Sequence, residues 1–298
     1  MMAATELKLR GVISVDEPLS RHTTWRVGGP ARLFYQPADS ADLIMFLQQL
    51  ADDEPLLWLG LGSNLLVRDG GFPGTVIATQ GCLMEIALTG DKSIRVEAGL
   101  PSAQVARFAT RNSLAGIEFL AGIPGTLGGA LAMNAGAFGG EIWQRVAWVE
   151  TVDRFGQLHQ RQRCEFEIGY REVKGVDGEW FLAAHLVLER GDSEETVAHI
   201  RQLLDRRAAT QPTHKPSCGS VFRNPEGDHA ARLIEVAGLK GRQIGGAEVS
   251  EKHANFIINN GEATAADIEA LIALVQCEVE RQSGIHLKTE VHRVGVPA

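Results

Sequence analysis

The sequence predicts an α+β protein in which strand and helix segments alternate and form more than one domain. Its 298 residues are enough for about two domains of ordinary size. With 44% hydrophobic and 22% charged residues, the composition is that of a globular chain. The sequence contains no internal repeat and no low-complexity linker. Its texture changes after Arg207, where Pro212 and Pro216 bracket a loop.

Periodicity predicts the individual elements along the chain. Residues 41–50 carry apolar side chains at helical spacing, whereas short apolar or alternating runs are typical of strands. The first third therefore forms a small α/β unit. The expected strands are 56–61, 75–78, 93–98, 146–152, 158–163 and 181–188, and the expected helices are 41–50, 102–112, 193–207 and 227–238.

The last helix has the clearest boundaries. Thr264 is expected to cap it with Asp267 at the capping-box position, and Gly284 is expected to end it. Its apolar stripe is interpreted as core and not as a cofactor site; the stripe comprises Ile268, Leu271, Ile272, Val275 and Val279. The closing segment, 286–295, alternates like an edge strand.

Charge and cysteine usage exclude several protein classes. A formal net charge of -8 and a pI near 5.6 argue against general nucleic-acid or membrane-surface binding. The four cysteines show no metal-type spacing, so reduced thiols in a cytoplasmic protein are expected. The first eleven residues have no apolar core of the kind that a secretory signal needs.

One uncharged stretch, 119–138, has the length of a membrane span. It contains Pro124 and five glycines, which are poor helix formers. We therefore interpret it as buried loop and turn, with no membrane association.

A first candidate ligand site lies at 60–67, where a strand runs into a Gly/Ser/Asn turn. Glycine lets main-chain N–H groups approach an anion, and Ser63 and Asn64 add polar donors suited to a pyrophosphate. The spacing matches neither the GxGxxG fingerprint nor the Walker motif. Taken alone, the segment is better interpreted as an ordinary turn.

A second candidate is the run GIPGTLGGA at 122–130, which is followed by MNAGA at 133–137. Glycine at this density costs backbone entropy, and close approach of main chain to a flat ligand would offset that cost. Thr126 and Asn134 offer directional hydrogen bonds. A purely structural glycine-rich loop remains the other interpretation.

Further segments are unremarkable one at a time. Tyr170-Arg171 reads as a surface pair, and Glu290 reads as an exposed carboxylate. The loop at 216–225, SCGSVFRNP after Pro216, shows no GxSxG elbow or Asp/His arrangement that would make a serine nucleophilic. The segment at 245–257 reads as a turn, polar positions and then an apolar strand.

Together these segments resemble a known family. The segment HTTWRVGGPA at 22–31, the turn at 60–67 and the run at 122–137 are similar in order and spacing to the FAD-binding half of UDP-N-acetylenolpyruvoylglucosamine reductases. The resemblance extends over roughly residues 19–295. The spacing of the SCGSVFRNP and YR segments, and the lack of an inserted tyrosine-bearing loop, resemble the shorter, second type of this enzyme.

The resemblance implies a fold and a domain division. The fold is the vanillyl-alcohol-oxidase (PCMH)-type FAD-binding fold, with two α/β subdomains and a C-terminal α+β substrate domain. The first subdomain would cover 1–78, with 288–298 returning to it. The second would cover 79–207, and the substrate-binding domain would cover 208–287.

The resemblance also implies site residues. Matched positions give Arg171, Ser220 and Glu290 as catalytic groups. Noncovalent FAD would contact a larger set, namely Gly60, Gly62, Ser63, Asn64, Leu65, Gly122, Pro124, Gly125, Thr126, Gly128, Gly129, Ala132, Asn134, Ala135 and Gly136. Substrate would contact Tyr170, Lys215, Arg223 and Asn224, although Lys215 and Arg223 also fit a solvated surface. No metal is expected.

The implied reaction reduces the enolpyruvyl ether of UDP-N-acetylglucosamine-enolpyruvate to UDP-N-acetylmuramate for peptidoglycan synthesis, with NADPH as co-substrate. Hydride arriving at C3 would create negative charge that Arg171 and a protonated Glu290 stabilise, and Ser220 would protonate C2. NADPH would react and leave before the sugar nucleotide enters. A monomer is expected, with an oligomer left open.

Two other functions remain open at this level. An FAD-dependent sugar or alcohol oxidase of the same cofactor fold would tether the flavin through a residue such as His22. A regulator that binds flavin or UDP-sugar without catalysis is the second. Cys218, two residues from Ser220, fits either a small packing residue or a thiol shuttle.

Overall fold

The computed structural model describes residues 8–298. The interpretation of the N-terminus as lacking a secretory signal depends on residues 1–7, which lie outside the described residues. Six α-helices are present in the described part of the chain: α1 Ser40–Leu47, α2 Ser102–Arg111, α3 Leu127–Ala132, α4 Ser193–Thr210, α5 Ala230–Val236 and α6 Ala265–Ser283. Short 3-10 helices occupy Leu19–Arg21, Glu118–Gly122, Ile142–Gln144 and Arg163–Glu165.

The strands are short and numerous. In chain order they are β1 Val12–Pro18, β2 Pro30–Gln36, β3 Leu56–Leu59, β4 Leu65–Val67, β5 Phe72–Ala78, β6 Ile86–Gly90, β7 Ser93–Glu97, β8 Leu114–Ala115, β9 Gly136–Ala137, β10 Gly140–Glu141, β11 Val146–Asp153, β12 Leu158–Gln162, β13 Glu167–Gly169, β14 Glu172–Lys174, β15 Glu179–Val187, β16 Glu189–Arg190, β17 Gln243–Ile244, β18 Ala247–Val249, β19 Ile257–Asn259 and β20 His292–Val294.

The described residues divide into two compact units. Unit 1 comprises 8–15, Leu33–Gly60 and Gly74–Ala198, and unit 2 comprises Asp16–Arg32, Leu61–Pro73 and His199–Ala298. The three-part division expected from the resemblance stays a prediction.

Unit 1 is built on two sheets. One has the strand order β1-β2-β5-β3, with β3 parallel to β5, and the other has the antiparallel order β12-β11-β15-β7-β6. A buried cluster around Tyr35, Leu43 and Ile77 packs α1 against the first sheet. These contacts bury the apolar face that the 41–50 periodicity predicts.

A buried carboxylate fixes the start of α1. Asp42 is 0% exposed, and it accepts hydrogen bonds from the Arg10 N–H at 2.7 Å, the Ala38 N–H at 2.9 Å and the Tyr35 hydroxyl at 2.5 Å. Burial by itself would raise the pKa of Asp42, but these donors outweigh burial and hold the pKa below its usual value. The charge is therefore stabilised where it lies.

Unit 2 has one core formed by residues from distant parts of the chain. The three-stranded sheet β17-β18-β19 and α6 pack with Trp25, which is 0% exposed. The Trp25 indole N–H donates to Ile257 O at 2.7 Å, and the Asn259 side chain donates to Trp25 O at 2.9 Å. The N-terminal HTTWRVGGPA segment is thus anchored in unit 2. The C-terminal strand β20 pairs in parallel with β4.

The structure confirms most predicted elements within two or three residues. The Thr264–Asp267 capping box is present, and Gly284 ends α6 with φ 73°. The 227–238 helix is confirmed within the same margin and starts at Ala230, after Gly227 with φ 75°. Two predictions were wrong in extent. The 286–295 strand is reduced to β20 and an isolated bridge at Thr289.

The second correction concerns 119–138, which was expected to be loop and turn. It contains a 3-10 helix and the six-residue helix α3. Thr126 precedes α3 in extended conformation, and the Gly128 N–H donates to Ala98 O at 2.8 Å. A Cβ on Gly128 would lie 3.0 Å from Ala98 Cβ. Small residues here allow a helix to pack very close to the adjacent chain. No helix among residues 8–298 is both long and apolar enough to cross a membrane.

Candidate active site

The predicted site residues fall in both units. Unit 1 holds Gly60, the glycine run at 122–136 and the pair Tyr170-Arg171. Unit 2 holds the turn at 62–65, the loop with Lys215, Ser220, Arg223 and Asn224, and Glu290. The site residues of each unit are held by contacts within that unit.

In unit 1 the two glycine-rich segments meet at Gly60 and Thr126. A Cβ on Gly60 would lie 2.5 Å from the Thr126 hydroxyl oxygen, so only glycine is accommodated there. Thr126 is 1% exposed and forms an antiparallel bridge with Pro101. The end of β3 therefore adjoins the start of α3. A large ligand that contacts both segments needs this proximity.

The outer face of α3 is suited to a planar group. Gly129 and Ala132 lie three residues apart on this helix, and both are exposed. A Cβ on Gly129 would have the Thr126 hydroxyl at 3.9 Å as its nearest neighbour, so the space beyond this glycine is open. A flat ring system could approach the main chain here without meeting a large side chain. These residues fit a flavin.

Arg171 lies at the tip of a hairpin in unit 1. Strands β13 and β14 pair with Gly169 opposite Glu172, which leaves Tyr170 and Arg171 as a two-residue turn. Arg171 has φ 56°, in the left-handed region that a residue with a side chain rarely adopts. Its Nη2 donates to Gly136 O at 2.6 Å, and its Cζ lies 5.0 Å from the centre of the Tyr170 ring. The structure thus brings the YR pair to the glycine run.

In unit 2 the Gly/Ser/Asn turn packs against the N-terminal motif. Gly62 has φ 58°, and a Cβ there would lie 2.2 Å from His22 O. The Thr24 N–H donates to Gly62 O at 3.2 Å. Gly62 is therefore required both by its conformation and by the close approach of the 22–24 backbone.

The loop that carries Ser220 runs antiparallel to the segment that carries Glu290. Phe222 is bridged to Thr289, and the Glu290 N–H donates to Val221 O at 2.8 Å. The Arg223 N–H donates to Lys288 O at 2.9 Å. This register puts Ser220 one residue beyond the partner of Glu290, so the backbones of the two predicted catalytic residues of unit 2 lie in adjacent paired segments.

The backbone of Glu290 is also held from the other side. Asn64 donates from its side-chain amide to Glu290 O at 3.2 Å, and Asn64 O accepts from the His292 N–H at 3.1 Å. The turn predicted to bind a pyrophosphate is thus hydrogen-bonded to the main chain of the segment that carries the predicted catalytic residue Glu290. Because Glu290 is fixed at both its N–H and its carbonyl, its side chain projects from a defined point.

The three predicted substrate contacts of unit 2 differ in environment. Lys215 is exposed, and the Asn224 side-chain oxygen accepts from the Ala230 N–H at 3.1 Å, next to the start of α5. The Arg223 Nε is buried and has no hydrogen-bond partner among the described residues. Burial, and secondly the charge of Arg223, lower the pKa of His292. An anion near Arg223 would satisfy its buried N–H group.

Cys218 is inert in this setting. It is buried, and burial raises the pKa of its thiol well above the usual value, with the charge of Glu290 adding to the effect. A protonated thiol is a poor nucleophile, which favours the packing role over the thiol shuttle.

Sequence reasoning missed Asn255, which holds the Ser220 loop. Asn255 is 3% exposed, accepts from the Phe222 N–H at 2.9 Å and donates to Phe222 O at 2.8 Å. Its backbone O also accepts from the Val221 N–H at 2.9 Å. The sequence does carry a signal for this role, namely an asparagine inside an apolar run. A buried amide needs polar partners, so such a residue is expected to hold main-chain groups.

We expect Asn255→Ala to lower the free energy of unfolding by about 1–3 kcal/mol, because two main-chain groups of Phe222 lose their buried partners. Turnover should fall as well, because the Ser220 loop loses its support. Urea unfolding and steady-state rates measure both effects. Asn260→Ala at an exposed position is the control and should shift stability by less than about 0.5 kcal/mol. Equal stability of the two variants would contradict the assignment.

Comparison with known proteins identifies the family. Residues 211–294 match the model of the UDP-N-acetylenolpyruvoylglucosamine reductase C-terminal domain, and residues 31–161 match an FAD binding domain. A UDP-N-acetylenolpyruvoylglucosamine reductase from Legionella pneumophila (strain Corby) is 60% identical over 287 residues, which cover 96% of this chain and 93% of the relative. The chain belongs to the UDP-N-acetylenolpyruvoylglucosamine reductase family.

Two further reductases show the same similarity to this chain. The reductase of Methylococcus capsulatus is 59% identical over 293 residues, covering 98% of this chain and 96% of the relative. The crystal structure of the reductase from Thermus caldophilus superposes with a TM-score of 0.82 at 33% identity, covering 96% of this chain and 99% of that one. The resemblance, the α+β class with its FAD-binding fold, and FAD as cofactor are thereby confirmed. The individual site residues stay predictions.

Proposed function

We propose that this chain reduces the enolpyruvyl ether of UDP-N-acetylglucosamine-enolpyruvate to UDP-N-acetylmuramate, with NADPH as the reductant. The observation that supports this most directly is the antiparallel pairing of the backbone segments that carry Ser220 and Glu290 in unit 2, in a chain 60% identical to a named reductase. FAD, when bound, carries the hydride from NADPH to the substrate.

The chain's own residues act on charge and protons. Hydride addition at C3 of the enolpyruvyl group pushes electron density onto the adjacent carboxylate. Arg171 offers a planar guanidinium that can bind that carboxylate through two N–H groups. Glu290, protonated, donates a hydrogen bond to the same group. Ser220 gives its proton to C2, which is basic enough to accept from a hydroxyl only after hydride has arrived, and the serine then recovers a proton from water. The net change adds two hydrogens across the double bond.

Further residues would bind the ligands. FAD would contact Gly60, the turn at 62–65 and the main chain of the run at 122–136, and Tyr170, Lys215, Arg223 and Asn224 would contact the sugar nucleotide. The buried Arg223 Nε supports an anionic group at that position. We further propose that NADPH leaves before the sugar nucleotide enters.

The setting of the reaction follows from its product. UDP-N-acetylmuramate is a peptidoglycan precursor, so the chain would serve cell-wall synthesis and, through it, cell shape and division. We propose a cytoplasmic monomer of the shorter, second type of the family. No observation favours the oxidase alternative. His22, the residue that would tether the flavin of such an oxidase, is hydrogen-bonded to Glu17, with its Nε2 2.9 Å from Glu17 Oε1. Nor does any observation favour a non-catalytic regulator.

An anaerobic two-step titration tests the function. NADPH should bleach the yellow colour of the purified protein, and UDP-N-acetylglucosamine-enolpyruvate should restore it with one equivalent of UDP-N-acetylmuramate detected by mass. Denaturation should release FAD intact, because the cofactor is held noncovalently. Recolouring by oxygen but not by the enolpyruvyl ether would favour an oxidase and overturn the proposal.

A further inference from the structure

We propose that Asn134 and Glu141 are positioning residues that set the orientation of the Arg171 guanidinium. The inference rests on the proposed function of Arg171 and adds to it two residues that do not themselves contact substrate. All of the contacts involved lie within unit 1.

The side chain of Asn134 is fully used by protein groups. It is 1% exposed, and its Nδ2 donates to Glu141 Oε2 at 2.9 Å and to Gly169 O at 3.0 Å. Its Oδ1 accepts from the Trp143 N–H at 3.4 Å. An amide offers two N–H donors and one oxygen, so each polar group of this side chain already has a partner. This geometry supports a positioning role for Asn134 over the cofactor contact predicted from the resemblance.

Asn134 contacts the arginine hairpin at both its base and its tip. Gly169, which accepts from the Asn134 amide, closes the two-residue turn that carries Arg171. At the tip, Arg171 Nη1 donates to Asn134 O at 3.4 Å. Asn134 itself has φ 42°, so both ends of this contact have left-handed backbones. Such conformations persist where surrounding contacts enforce them, and they concentrate at functional sites.

Glu141 supports the two main-chain carbonyls, of residues 134 and 136, that accept from the Arg171 guanidinium. Its side chain binds the Asn134 amide, and its backbone in β10 is paired with Gly136 in β9. Gly136 O is the closer acceptor of Arg171, at 2.6 Å from Nη2. Glu141 therefore fixes residue 134 through its carboxylate and residue 136 through its strand.

The carboxylate also decides which way the amide faces. A carboxylate can only accept, so it requires the Nδ2 of Asn134 on its side and leaves Oδ1 for the Trp143 N–H. A glutamine at 141 can donate or accept and would permit the flipped amide. In the flipped state the oxygen of Asn134 would face Gly169 O, and the base of the hairpin would lose its hydrogen bond.

Asn134→Asp and Glu141→Gln test the inference, because each keeps the shape and removes the hydrogen-bond pattern. We expect each to lower kcat for the enolpyruvyl substrate by about 10–100-fold, as for other residues that orient a functional group. FAD content and the rate of flavin bleaching by NADPH should stay close to those of the parent in both variants. The melting temperature should stay close to that of the parent in Glu141→Gln, whereas Asn134→Asp should melt lower because it buries a second carboxylate beside Glu141. Glu167→Gln, the same change at an exposed position of the same hairpin, is the matched control and should leave kcat unchanged.

A double-mutant cycle separates positioning from a general structural effect. In an Arg171→Ala background, adding Asn134→Asp should lower kcat by less than about 3-fold, because the effect of Asn134 is exerted through the guanidinium that this background lacks. An undiminished loss in that background would overturn the positioning role while leaving the function of Arg171 intact. If Arg171→Ala alone left kcat unchanged, the proposed function of Arg171 would fail, and this inference with it. Should Asn134→Asp not fold, the same cycle with Glu141→Gln decides.

Discussion

Ser220→Ala is expected to slow reduction of the enolpyruvyl ether by about 10³-fold, the range typical of a positioned proton donor. The loop backbone should not change, because Val221 and Phe222 are held by Asn255 and residue 290, and not by the serine hydroxyl. Bleaching of the flavin by NADPH does not involve this proton, so its rate should stay within about 2-fold of the parent. Stopped-flow absorbance, followed separately for NADPH and for substrate, measures both steps.

The control for this variant is Ser217→Ala. Ser217 lies three residues earlier in the same loop and is bridged to Ile258 through its backbone, so the two variants make the same chemical change. Ser217→Ala should retain the parent rate in both steps. If Ser220→Ala slowed the NADPH step as much as the substrate step, the serine could not be the proton donor.

Glu290→Ala is expected to lower kcat/KM by about 10²–10³-fold, the usual cost of removing one donor from the group that stabilises developing charge. Glu290→Gln keeps an N–H donor at the same distance and should recover part of this loss. The backbone of residue 290 is fixed by Val221 O and by the Asn64 amide, so neither substitution should move the segment. Steady-state rates for the two variants give the comparison.

Glu262→Ala, at an exposed position outside this group, should behave like the parent protein and serves as the control. Equal losses in Glu290→Gln and Glu290→Ala would mean that a hydrogen-bond donor is not what residue 290 supplies. An unimpaired Glu290→Ala would remove the carboxyl from the mechanism altogether.

Local signals predicted the elements that depend on neighbouring residues. The capping box at Thr264 and Asp267 and the left-handed Gly284 involve groups only a few residues apart, and the structure reproduces them. Prediction was weaker where the ends of an element depend on more distant partners. Asn224 supplies the acceptor for the Ala230 N–H next to the start of α5, six residues from it, and the predicted helix began three residues too early.

The family motifs predict which residues form the site but not which of them contact one another. Spacing along the chain does not show that Asn64 donates to Glu290, because the two residues are 226 positions apart. Of the two residues that we propose as supports of Arg171, Glu141 carried no motif, and Asn134 was predicted only as a cofactor contact. Asn255, behind Ser220, was not singled out in its segment. Their roles follow from burial and hydrogen-bond geometry, which a linear pattern does not contain.

By itself, the sequence determined the α+β class, most of the helices, the capping box and C-terminal glycine of α6, and the family; it also predicts the reactive groups. Each of these depends on side-chain chemistry or on contacts within a few residues. Only the tertiary structure decided that the loop of Ser220 pairs with the segment of Glu290, that Trp25 is anchored on β19, and that Arg171 is held by the carbonyls of the glycine run. Such contacts join segments far apart in the chain, and they form because buried main-chain groups must find partners wherever the fold supplies them.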